Sequence, residues 1–171
     1  KLKTWLGYLA FAGVAFLIGL YIVAPRIERS RDSYLPETFT KLPTGIVQIT
    51  GETGSMMLPV SIADTSQARS QGLSGVGVTA FANKFVLFAQ SRETTSSSTY
   101  NFTGVRVPLE VAVISEAGKV LSVQSVPLTT PRLSVSENHR WLLIAKAGTF
   151  EPYGIKVDSV LDPETIRKIN L

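Results

Sequence analysis

From Gly45 onward, apolar and polar positions alternate in short runs separated by turn residues. "IVQI" (46–49) and "MLPVSI" (57–62) flank the turn-rich "TGETGSM", a pattern that predicts a β-hairpin. "KFVLFAQ" (84–90) predicts a third strand. "PLEVAVIS" and "KVLSVQSV" flank "EAG", where Gly118 suits a left-handed turn position. "RWLLIAK" (140–146) and "GIKVDSVL" (154–161) predict two more, making seven strands at short intervals. The fold class expected is mainly β, a β sandwich or partly open barrel with two short helices.

The first helix is predicted after Asp64, read as its N-cap with Gln67 three residues on, and stopped by Gly72. The second opens at "DPETIRKIN", with Asp162 as cap, Pro163 in the first turn, and Arg167 and Lys168 near the C-terminal end. "TTSSST" (94–99) reads as a flexible loop.

The N-terminal region breaks this pattern. Trp5 to Ala24 is twenty residues without a charge. At about 1.5 Å per residue it reaches roughly 30 Å, enough to cross a bilayer core. Trp5, Tyr8 and Tyr21 lie near its ends, as interfacial aromatics do. It is read as one uncleaved transmembrane helix, since proline follows the small-residue cleavage candidate. Tyr8, Ala12, Ala15 and Gly19 fall on one face, where small side chains would admit another helix. The expected organisation is an anchor (1–24), a proline-containing linker (25–44) and a β-rich domain (45–171). The expected orientation puts the N-terminus in the cytoplasm and the C-terminal domain outside it, periplasmic or extracellular.

Composition narrows the chemistry. No cysteine is present, which excludes disulfides, thiol catalysis and cysteine-based metal sites. The formal charge is +4, and Lys1 and Lys3 precede the apolar run, so the rest is too weakly basic for a nucleic-acid footprint. "GVGVTA" (75–80) lacks the preceding strand and following helix that a dinucleotide site requires and reads as a loop. The one histidine, His139 in "SENHRW", reads as an exposed loop residue. Glu110 and Glu116 share one side of their strand and read as solvent-facing charges. No catalytic residue, cofactor or metal site is assigned.

The stretch "LPVSIADTSQARSQGLSG" resembles the opening of the domain of unknown function 192 family, a strand followed by A-D-T-x-x-E-R-x-x-G-L-M. Ala63, Asp64, Thr65, Arg69, Gly72 and Leu73 match. "KFVLFAQ", "VPLEVAVISEAGKVLSVQSVP" and "WLLIAKAGTFEPYGIKV" resemble later family segments in order, covering 57–161. The resemblance implies a small β-rich domain, frequently secreted or membrane-anchored, and brings no reaction. Asn101, Gly104 and Ile144 stand where the family has tryptophan, asparagine and glutamate, while Glu110 keeps the charge of the family aspartate. Asp64, Arg69 and Glu110 are the remaining pocket candidates.

The function expected is a non-enzymatic, single-pass accessory subunit of a larger membrane complex, respiratory or photosynthetic in setting. Its partners would be membrane lipid and integral-membrane proteins, with no nucleic acid. The alternatives are a membrane-anchored binding module for a small ligand or cell-envelope component, and an unrecognised or degenerate enzyme.

Overall fold

A computed structural model describes residues 31–165. The anchor, with Tyr8, Ala12, Ala15 and Gly19, lies outside the described residues, as do Arg167 and Lys168. No helix among the described residues is long and apolar enough to cross a membrane.

The chain is mainly β. Strands β1 (Thr44–Gly51) and β2 (Gly54–Ala63) form the expected hairpin, in register from Thr44↔Ser61 to Gly51↔Gly54. β3 (Phe85–Thr94) runs parallel to β2, and every other strand pair is antiparallel. β4 (Ser98–Asn101) and β7 (Arg132–Val135) form a separate two-stranded sheet. β5 (Leu109–Ile114), β6 (Val120–Val126), β8 (His139–Lys146) and the two-residue β9 (Val160–Leu161) complete the main sheet. Its order is β6-β5-β8-β3-β2-β1-β9.

The sheet curls into a half-barrel whose two edges meet at one point. Lys119 and Val160 form an antiparallel bridge. Beside it the Val120 amide donates to the Ser159 carbonyl at 2.8 Å, and the Asp158 amide to the Val120 carbonyl at 3.0 Å. Past this stitch, the sheet pairing among the described residues gives β6 a neighbour on its β5 side alone, and the seam opens.

Both faces of the central strands are buried, which explains their near-continuous apolar runs. The concave core includes Ile49, Leu58, Leu87, Ile114, Trp141 and Leu143. The convex core includes Phe88, Val111, Leu142 and Ile144. Helix α1 (Glu37–Thr40), the 73–81 loop and the small sheet contribute Phe39, Phe81 and Leu133 to it.

Three findings depart from the sequence reading. The expected 154–161 strand is present only as β9. A 3₁₀ turn (Glu151–Tyr153), Gly154 in the left-handed region and Asp158 at φ 72° bend the chain, and Ile155 turns inward instead of pairing. The expected 94–99 loop contributes its ends to β3 and β4. Helix α2 (Ser66–Gln71) is capped by Thr65, whose Oγ1 accepts from the Ala68 amide at 3.1 Å, one residue after the cap expected.

Within the 25–44 connector, residues 31–44 are described, and they pack on the domain. Phe39 and Leu42 are buried. The Gly77 amide donates to the Tyr34 carbonyl at 2.8 Å, and the Thr79 and Ala80 amides to the Asp32 carbonyl. Phe39 and Leu42 join the convex core with Leu35 packed beside them, while Tyr34 stays exposed, so the apolar residues here follow no period.

Candidate functional site

Asp64, Arg69 and Glu110 do not converge. Arg69 lies on α2, and Nη1 donates to the Asp64 carbonyl at 2.6 Å and the Ala89 carbonyl at 2.8 Å. Ala89 pairs with Trp141 at the start of β8. Glu110 pairs with Ala145 near the end of that strand. Arg69 therefore ties α2 to β3, while Glu110 stands at the other end of the barrel. Asp64 is exposed and lines a cleft of about 450 Å³ between α1 and α2, with Glu37, Lys41 and Gln71.

His139 is fully buried, at 0% exposure, and not in an exposed loop. It opens β8 and pairs with Thr94 of β3. Its Nδ1 lies 2.7 Å from the Glu137 carbonyl, which can only accept, so Nδ1 carries a hydrogen. In the neutral imidazole Nε2 then accepts from the Tyr100 hydroxyl at 2.6 Å. Gln90 Nε2 donates to that hydroxyl at 3.0 Å. The chain from Gln90 through Tyr100 and His139 to Glu137 thus gives both imidazole nitrogens and the phenol oxygen a partner. Burial pushes the Tyr100 phenol above its ordinary pKa, against the Gln90 hydrogen bond and the nearby Arg69 charge. Tyr100 and Gln90 carry no motif, and Tyr100 lies 39 positions from His139 and 10 from Gln90, so pattern reading misses them.

Glu116 pairs with Arg140 at 2.6 Å, and the Arg140 guanidinium lies 4.8 Å from the Trp141 ring centroid. These contacts brace the closed end of the barrel. Ile144, where the family has glutamate, is buried in the convex core. Asn101 Oδ1 accepts from the Thr103 amide at 3.0 Å and from its hydroxyl at 2.6 Å, closing a local turn.

The open end of the seam holds a cleft of about 340 Å³. Glu110 accepts there from the Phe150 amide, which fixes the 150–158 segment against β5. Glu52, in the β1–β2 turn, pairs with Lys156 at 2.8 Å. The Lys156 hydrogen bond and then its charge hold the Glu52 carboxyl below its usual pKa. Glu151 lies on the same rim, and Val123, Phe150, Ile155 and Val157 supply apolar wall. Sequence reading marks Glu110 alone here, because Glu52 sits in a turn about a hundred positions before Glu151 and Lys156. Among the described residues, no group of three His, Asp or Glu side chains is placed to hold a metal ion.

Two crystal structures share this fold. A proposed transcription regulator from Sinorhizobium meliloti is 19% identical, with a TM-score of 0.62 over 71% of this chain and 94% of that one. A protein of unknown function from Novosphingobium aromaticivorans is 18% identical, with a TM-score of 0.62 over 78% of this chain and 96% of that one. No curated protein matches the chain. The model of the family DUF192, described as Uncharacterized ACR, matches residues 47–163, more than half of the sequence. The chain belongs to the DUF192 family.

Proposed function

We propose that this protein is a non-enzymatic docking subunit of a membrane assembly. Its N-terminal apolar segment supplies the anchor, and its β domain, outside the cytoplasm, engages integral-membrane partners. The observation that carries this reading is how the polar groups are used. Arg69 binds backbone carbonyls, His139 is held between Tyr100 and Glu137, and Glu110 holds the Phe150 amide. These bonds serve the fold, whereas a catalytic group must reach a substrate.

The convex side of β1 and β2 supports docking. Inward residues Val47, Ile49, Leu58 and Val60 alternate with outward Ile46 and Met57, which are 53% and 57% exposed. Val160 of β9, 45% exposed, extends the same side. Large apolar side chains grouped on one sheet face favour protein contact. The cleft beside Glu110 favours a second reading, an anchored binding module for a small ligand or cell-envelope component.

The test is purification of the tagged full-length chain in mild detergent with mass spectrometry of co-purifying proteins. Stoichiometric integral-membrane partners that are lost from Met57→Glu, with its circular dichroism unchanged, are the expected result. A chain that purifies alone from its native membrane overturns the docking reading.

A further inference from the structure

We propose that the open seam between β6 and the 150–158 segment receives an extended, basic polypeptide strand from a partner. The inference rests on the docking reading and names the chemistry of the docked segment.

The first observation is the edge. β6 is seven residues long and terminates the sheet. Its sequence, VLSVQSV, has no charge and no proline. Exposed edges are normally shortened, charged or interrupted by proline, because their unpaired amides and carbonyls template another strand. β9, the other edge, is only two residues long. Val120 is already bonded to Ser159 and Asp158 and the register shifts at Leu121, but from Ser122 to Val126 the edge has none of these protections among the described residues, and Val123 and Ser125 are exposed along it.

The second observation is the cleft that the edge borders. Val123 lines it with Phe150, Ile155 and Val157, a wall suited to aliphatic stems. Three carboxylates, Glu52, Glu110 and Glu151, face one cation, Lys156, which Glu52 already pairs. A strand added to β6 would send alternate side chains into this cleft. Lysine fits that position, with its methylenes on the apolar wall and its ammonium reaching Glu151 and Glu110. The opposite side chains would meet Ser122 and Gln124, which are hydrogen-bonded to each other at 3.3 Å, so small polar residues suit them.

The probe is a fluorescent six-residue peptide alternating Thr and Lys, titrated against the full-length chain in mild detergent. Two isomers carry N-methyl groups on all three Lys or on all three Thr. In an added strand, one set of amides faces β6 and the other faces away. One isomer should therefore lose binding and the other keep it. A Thr/Glu peptide should not bind. Glu151→Lys should weaken the Thr/Lys peptide about tenfold. Glu37→Lys, the same charge change on α1, should leave it unchanged.

Equal binding by the two methylated isomers, equal effects of Glu151→Lys and Glu37→Lys, or no binding overturns the inference. If the peptide fails while native partners still co-purify and are lost with Met57→Glu, the seam proposal falls and the docking reading stands. If both fail, both fall.

Discussion

The Leu161 amide donates to the Gly118 carbonyl at 2.8 Å, and a Cβ on Gly118 would run into the Leu161 carbonyl oxygen. Gly118 is at φ 88°, where other residues are strained. This contact lies beside the bridge that joins the two sheet edges. Gly118→Ala should cost at least about 2 kcal/mol, from the left-handed conformation and the clash together. Urea denaturation measures the loss. Amide hydrogen exchange should localise the first opening to Val120 and Leu161, leaving β3 and β8 protected.

His139→Ala should destabilise the protein by about 3 kcal/mol, combining a cavity with unpaired groups at Tyr100 and Glu137. Thermal denaturation checks this. A surface histidine would give a change within about 0.5 kcal/mol.

Tyr100 sets a pH dependence in the alkaline range. Below about 10, its ordinary pKa, the hydroxyl keeps its proton in folded and unfolded chains alike, and the group contributes no slope. Above that value the unfolded chain loses the proton first. The folded chain then holds more protons, so stability falls as pH rises toward the raised folded value. Urea midpoints compared between pH 9 and 11 should fall more steeply for the native chain than for Tyr100→Phe.

The cap of α2 separates two adjacent residues. Thr65→Ala should cost about 1 kcal/mol, since the Ala68 amide loses its side-chain acceptor. Asp64→Ala should change stability by less than about 0.5 kcal/mol. Comparable losses in chemical denaturation would place Asp64 in a structural role that the Thr65 cap does not require.

The six long strands of the main sheet were readable from their apolar stretches. β1 and β2 alternate between core and outside, and Phe85–Ala89 of β3, Val111–Ile114 of β5 and Trp141–Ala145 of β8 are buried on both faces. The small sheet was not readable. "STYN" and "RLSV" are four residues each, and only Tyr100, Leu133 and Val135 face the core. The 154–161 segment misled because its apolar residues alternate as in a strand, yet Ile155 is buried, Val157 lines the cleft and Val160 faces outward. Of the candidate site residues, Arg69 and Glu110 mark real anchoring points, but their acceptor at Ala89 and donor at Phe150 are 20 and 40 positions away. His139 looked solvated for the same reason, since a one-dimensional pattern does not pair it with Tyr100.

The position of β8 has a consequence for synthesis. Residues 139–146 are laid between β3 and β5, both of which leave the ribosome earlier. Until then β1–β2–β3 and the β5–β6 hairpin are separate pieces, each with an unfinished apolar border at Val86–Ala89 or Val111–Ile114. Such borders are prone to pair with the wrong chain. A nascent chain stalled before residue 139 therefore has two unfinished halves and no strand to join them, and the burden of keeping it soluble passes to whatever escorts it until the strand that closes the sheet has emerged.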